Sequence, residues 1–313
     1  MLDPGAWPPE AEQSEGAVAP PDPGLTGQSD RPVAGVDNGY VAGYRVRFDE
    51  AGPDGRIRTS ALLRYTQDVA WRHSEALGFD RRWYLERGRW WVVRSVDLEV
   101  VAPVPMGRTL RVSTAVVGHR RIWARRLADA RLAGGALAAR IVTDWVILDD
   151  RGRLVRIPED FGLSFTNPEL PGEILRAELP RWAAEASPGS EIRFDVRPHD
   201  LDPMGHVNNA AYLDWVEEGL IAAAPGTGDV GRSGDAGNAG ATDSVGSLPR
   251  RARMEYLASA EPGDEIVVTT WRDGAAWASR IARAGGQDVL RAVGGTGLAD
   301  EATDQIEGVP PLA

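Results

Sequence analysis

The stretch Asp200-Leu-Asp-Pro-Met-Gly-His-Val-Asn-Asn-Ala-Ala-Tyr-Leu-Asp-Trp215 sets two acids, a histidine and two amides just ahead of an apolar-periodic helix pattern. Polar groups so placed lie at a helix N-terminus. There, free backbone N–H groups and the positive end of the helix dipole can polarise a carbonyl. Asp202 is the candidate general base or nucleophile. A turn role competes with this, because Asp before a helix often bonds its own backbone two residues on; Asp200 fits that role better than Asp202. His206 is placed to orient a substrate or to hydrogen-bond Asp202; shaping the loop is an equally good reading. Asn208 and Asn209 are good helix caps in their own right. Gly205 permits a backbone angle denied to other residues.

These residues need a scaffold, and the chain repeats itself to build one. Arg47 to Ile57 lies on Arg197 to Val207 at a constant offset, 47 to 197, 53 to 203 and 55 to 205, with Arg, Pro and Gly in register. A helix pattern follows each copy. Leu62, Tyr65, Val69, His73 and Leu77 share a face in the first, and Leu213, Val216, Leu220 and Ala224 in the second. Strand-like runs come next: 92–101, 109–117, 122–132 and 137–148, then 251–257, 265–271, 276–283 and 289–296. In the run 137–148, Ala139, Ile141, Thr143, Trp145 and Ile147 share one face, and Arg140 and Asp144 lie on the other. The order strand, loop, helix, four strands predicts an α+β fold in which antiparallel sheet wraps a long apolar helix. Two unrelated α+β domains are the alternative.

Composition narrows the function. With 313 residues the chain has room for two domains. The net charge of −11 argues against a general nucleic-acid binder. All 35 basic residues are Arg, so Lys-dependent Schiff-base and P-loop chemistry is excluded. Cys is absent, which removes disulfides, thiolate metal sites and a Cys nucleophile. The four histidines have no zinc spacing, and no metal or organic cofactor is expected. No apolar run reaches membrane-span length and no signal-like N-terminus is evident, so a cytoplasmic location is expected. Residues 1–40 and the Gly- and Ser-rich insertion at about 225–247 are too poor in core formers to order, and 301–313 reads as a tail. The domains are expected at 41–165 and 166–300.

The Asp-Leu-Asp-x-x-Gly-His-Val-Asn-Asn-x-x-Tyr-Leu-x-Trp string starting at Asp200, together with the weaker 60–70 segment, His73 and Leu77-Gly78, resembles the bacterial acyl-ACP thioesterase family. The resemblance covers roughly residues 42–300 without the insertion. It implies a duplicated hotdog fold: two antiparallel sheets, each wrapped around a long central helix, related by a pseudo-twofold axis and joined as one layer. It implies hydrolysis of an acyl-ACP or acyl-CoA thioester to a free acid and a thiol. In such proteins an acid in the Asp202 position attacks the carbonyl or activates water, and the backbone N–H near Asn209 stabilises the oxyanion. Sites form between two hotdog units, so the first helix faces Asp202 and Gln67 becomes the polar contributor; an exposed helix glutamine is an equal alternative. The usual dimer interface is already internal, which leaves a further homodimer open.

Several positions depart from the family pattern. Plant members carry Asn where Met204 stands and a Glu-Cys pair where Ser259 and Ala260 stand. Gly52 and Arg56 occupy the Asp202 and His206 positions of the first copy, so that copy is expected to lack a site of its own. His73 reads as a core histidine. Trp90, Trp91, Trp123 and Trp145 are expected to build core and acyl tunnel. The run from His119 to Arg126, with Arg81 and Arg82, fits either carrier phosphate contacts or an exposed, alternating strand face. Two rival functions stay open. One is a non-catalytic acyl-thioester binder, which would have no need of Asp202. The other is a hotdog hydratase or dehydratase, whose motif is not found here.

Overall fold

A computed structural model describes residues 39–165, 189–224 and 248–296. The strands are β1 (Gly39–Arg45), β2 (Arg89–Val100), β3 (Thr109–Arg120), β4 (Trp123–Leu132), β5 (Leu137–Asp149), β6 (Ser190–Asp195), β7 (Arg250–Tyr256), β8 (Glu265–Asp273), β9 (Ala276–Arg283) and β10 (Asp288–Thr296). The helices are α1 (Thr59–Ala76), α2 (Arg81–Arg87), α3 (Glu159–Phe165) and α4 (Asn209–Ala222). All ten strands join in one sheet, ordered β1-β3-β4-β5-β2-β7-β10-β9-β8-β6. Read outward from the β2–β7 seam, both halves follow the same plan. The two antiparallel sheets expected are halves of this one sheet, continuous as in the single layer also expected.

The seam explains the continuity. Ser95 to Val100 of β2 pairs antiparallel with Glu255 to Arg250 of β7. On the inner face Val96, Leu98, Val100, Ala252 and Met254 are buried. Each large apolar side chain so covered stabilises by roughly 1.5–3 kcal/mol. On the outer face Arg94 pairs with Glu255, Asp97 with Arg253 and Glu99 with Arg251. Cross-strand pairs of this kind contribute roughly 0.2–1 kcal/mol each and chiefly fix register.

Both long helices lie on the inner face and share one core with both halves of the sheet. Leu62, Tyr65, Val69 and His73 of α1 are buried, as are Leu213, Val216 and Leu220 of α4 and Ala224 just beyond it; Leu77 is only half-buried. Arg64 meets Asp214 at 2.5 Å, and Thr59 hydrogen-bonds Glu217. Residue numbers thus rise on α4 as they fall on α1. The helices run antiparallel, with the start of α4 facing Gln67 and Asp68.

On β5, Asp144 lies on the outer face as expected, yet it is buried and held bidentately by Arg125. The 1–40 segment is ordered by its end, since Gly39 and Tyr40 open β1 and Tyr40 is buried. The remainder of that segment, the 225–247 insertion, the 301–313 tail and residue 166 lie outside the described residues. Among those described, no helix is long and apolar enough to cross a membrane.

Candidate active site

The backbone of the loop ahead of α4 repeats that of the loop ahead of α1. Asp202 N–H donates to His206 O at 2.7 Å, as Gly52 N–H does to Arg56 O at 2.8 Å. Gly205 N–H donates to Asp202 O, and Gly55 N–H to Gly52 O, both at 2.9 Å. Gly205 has φ +82° and Gly55 φ +70°, a region that favours glycine and explains why both copies keep one there. Asp200 Oδ2 accepts from Arg197 N at 2.8 Å and Glu50 Oε2 from Arg47 N at 2.8 Å. Asp200 is thereby a turn residue, the role expected of it.

Asp202 does more than the turn requires. Its Oδ1 accepts from Met204 N at 2.9 Å and His206 N at 3.2 Å. Its Oδ2 has no hydrogen bond among the described residues. His206 is exposed, and its ring has no hydrogen-bond partner among the described residues. Asn208 caps α4 through Oδ1, which accepts from Ala210 N at 2.9 Å. Asn209 is the first residue of the helix, and its N–H has no intramolecular partner among the described residues. Tyr256 Oη donates to the Asn209 carbonyl at 2.9 Å and anchors that first turn. Ser259 and Ala260 lie elsewhere: the Ala260 N–H donates to Tyr212 Oη at 2.8 Å.

One cavity of about 650 Å³ collects Asp202, Met204, His206, Asn208 and Asn209 from the second half and Arg64, Gln67, Trp71 and Ser74 from α1. The four candidate site residues, Asp202, His206, Asn209 and Gln67, are brought together around it. Gln67 Oε1 is buried without a hydrogen-bond partner. Trp90, Trp91 and Trp145 line the space, whereas Trp123 does not. The symmetric place in the other half encloses only about 30 Å³. Two features close it. Trp277 lies across Gly294, and Gly219 lets α4 press onto β8, where an added Cβ would stand 2.5 Å from Thr270 Oγ1. Val69 holds the corresponding place on α1, at 219 minus 150.

His73 is a buried core residue, as expected. Its ring stacks on Tyr40 and meets Phe165 edge-on. Burial, with the nearby Arg126 guanidinium, pushes its pKa from 6.5 down to about 3. It is therefore neutral, and Nδ1 accepts from Arg126 Nη1 at 3.0 Å. The His119–Arg126 run divides. Arg120 and Arg121 are exposed, Arg125 pairs with Asp144, and Arg126 turns inward to line the cavity. Neither carrier contact nor an exposed face describes Arg125 and Arg126. The periodicity had a signal for this, since Ala124, Arg126, Ala128 and Ala130 share one face, and an Arg among alanines marks an inward cation. Two short helices also escape the apolar pattern. Tyr84 of α2 and Phe161 of α3 both line the cavity.

Residues 37–164 match the acyl-ACP thioesterase N-terminal domain family, and residues 196–305 match the thioesterase-like superfamily. The first half thus carries a match to an acyl-ACP thioesterase domain and the second half a match to a thioesterase-like domain. Among curated relatives, the chain is 25% identical over 201 residues to a chloroplastic acyl-[acyl-carrier-protein] hydrolase of Cuphea viscosissima, covering 58% of this chain and 48% of that protein. It is 25% identical over 200 residues to oleoyl-acyl carrier protein thioesterase 1 of Arabidopsis thaliana, covering 58% and 54%. The chain thus spans about half the length of the curated relatives it matches. Its fold is similar to the 12:0-ACP thioesterase from Umbellularia californica, with TM-score 0.65, 21% identity and coverage of 82% and 96%. An acyl-ACP thioesterase from Bacteroides thetaiotaomicron superposes with TM-score 0.65 at 14% identity, covering 82% and 97%. These likenesses place the sheet and helices among hotdog-type thioesterase folds.

Proposed function

We propose that this protein is an acyl thioesterase of duplicated hotdog architecture, with one active site per chain, hydrolysing acyl-ACP or acyl-CoA thioesters. The observation that carries the reading is the single cavity that joins Gln67 of one half to Asp202, His206 and Asn209 of the other. Asp202 Oδ1 is held by two backbone N–H donors, which fixes the carboxylate and aims Oδ2. Oδ2 takes the proton of a water that attacks the thioester carbonyl, or attacks it directly. The C–O bond forms, the C–S bond breaks, and the thiolate leaves and gains the proton; after direct attack, water then cleaves the acyl–Asp202 anhydride, releases the acid and supplies that proton. The Asn209 N–H, at the positive end of α4, faces the developing oxyanion. Gln67 positions the water or the thioester from across the cavity.

The collapsed second cavity, with Gly52 and Arg56 in its loop, supports a single site. The retained acid speaks against a non-catalytic binder. Release of free thiol from a panel of acyl-ACP and acyl-CoA substrates tests the reading. Turnover with either carrier supports it. Binding without turnover would turn the reading to the non-catalytic rival.

A further inference from the structure

Resting on that reading, we infer that the inner end of the acyl cavity is a carboxylate-binding subsite, so that the preferred substrate is the monothioester of a dicarboxylic acid. Arg126 and Trp145 form it. They sit diagonally on adjacent strands, Arg126 opposite Thr143 and Ala124 opposite Trp145, with both side chains on the inner face.

Arg126 is only 8% exposed, and it lines the cavity. Its Nη1 reaches neutral His73 Nδ1 at 3.0 Å and Thr114 Oγ1 at 3.4 Å, and its Cζ lies over the Phe165 ring, 5.5 Å from the centroid. Nε and Nη2 have no partner among the described residues, and no carboxylate there forms an ion pair with it. The adjacent Arg125 shows what a satisfied arginine looks like here, since Asp144 takes both its Nε and Nη2 at 2.8 Å. The Trp145 Nε1 donor is likewise buried without a hydrogen-bond partner. A buried cation and a buried donor left unpaired beside the same space cost stability unless a ligand completes them. A planar carboxylate matches the two free guanidinium N–H groups. Burial lowers the Arg126 pKa only to about 10, so it stays charged at neutral pH.

The position fits an acyl terminus. Arg126 is level with His73 on α1, six residues beyond Gln67, which is about 9 Å along the helix. The thioester beside Asp202 and Gln67 would occupy one end of the space and Arg126 the other. The acidic residues that also line it are accounted for. Asp68 and Glu75 are exposed on the solvent edge of α1, and Asp68 accepts from Tyr44 Oη at 2.6 Å. Asp202 lies at the reacting end.

The test compares glutaryl-, adipyl- and suberyl-CoA with pentanoyl-, hexanoyl- and octanoyl-CoA by thiol release. The expected result is a kcat/KM at least about tenfold higher for the carboxyl-ended member of one or more matched pairs, in line with one desolvated charge pair. Arg126→Met should abolish or invert that preference. Its fold should survive, because an apolar side chain replaces an unpaired buried charge. Trp145→Phe keeps an aromatic ring, smaller than the indole, and loses the donor, and should reduce the preference in the same direction. Equal rates for every matched pair, or faster plain acyl chains, would overturn the inference and leave the thioesterase reading standing. Should no thioester be cleaved, that reading fails, and calorimetry with the amides N-propyladipamic acid and N-propylhexanamide decides the subsite by itself. Binding of the acid alone, lost in Arg126→Met, supports it; equal binding, or none of either, refutes it.

Discussion

Acidification should weaken this fold through one identifiable residue. His73 is buried between Tyr40, Phe165 and Arg126, with its pKa held near 3 against 6.5 for a free histidine. Below about pH 6.5 the unfolded chain takes up a proton that the folded chain refuses until about pH 3. The unfolded state therefore binds more protons in that window, and stability falls as the pH falls. The limiting slope is about 1.4 kcal/mol per pH unit for one proton. At pH 5 the loss assigned to His73 is about 2 kcal/mol. Other groups also titrate there, so the comparison is with His73→Gln, whose amide oxygen can still accept from Arg126 but does not titrate. Urea unfolding at pH 7 and pH 5 should show the parent losing about 2 kcal/mol more than the variant. Equal losses in the two proteins would refute the assignment of a neutral, buried His73.

The remaining expectations concern the asymmetry between the halves. Gln67→Ala should lower turnover by about tenfold or more by loosening substrate placement. Thermal stability should hardly change, because Gln67 Oε1 makes no hydrogen bond in the folded chain; a melting-temperature drop with unchanged turnover would reverse its role. Gly219→Ala should destabilise by roughly 1–3 kcal/mol despite alanine's better helix propensity, since the new Cβ meets Thr270 and Val268; chemical denaturation reads this directly. Calorimetric titration with a non-hydrolysable acyl amide should give one site per chain, and two equivalent sites would contradict the closed second cavity.

Much of this was legible in the chain because the hydrophobic periods are clean. The strand runs ended within about three residues of the observed strands, and the α1 and α4 faces were read correctly apart from the half-buried Leu77. The repeat carried the loops, down to Gly55 and Gly205. The continuous sheet depends on β2 meeting β7, and pairing partners leave no trace in a local period. The short helices were missed for lack of an apolar stripe, although α2 carries its own signals. Asp80 caps it by accepting from Trp83 N at 2.8 Å, and Gly88 ends it at φ +55°. Arg126 was hidden by its company, because in an Arg-rich run a single inward guanidinium looks like its solvated neighbours. In Asp202 the turn role leaves room for the proposed chemical one. One carboxylate oxygen makes the turn, and the other is left free.

The most direct test is thiol release by the parent protein, Asp202→Asn and Asp200→Asn, measured side by side on one cleaved acyl-ACP thioester. Asn at 202 can keep both turn hydrogen bonds through its Oδ1 and loses only the charge. Turnover should fall by roughly 10²-fold or more in Asp202→Asn, as for loss of a general base or nucleophile, with an unchanged melting temperature. Asp200→Asn should stay close to the parent. Small and equal effects from both substitutions would contradict the assignment and leave Asp202 a turn residue.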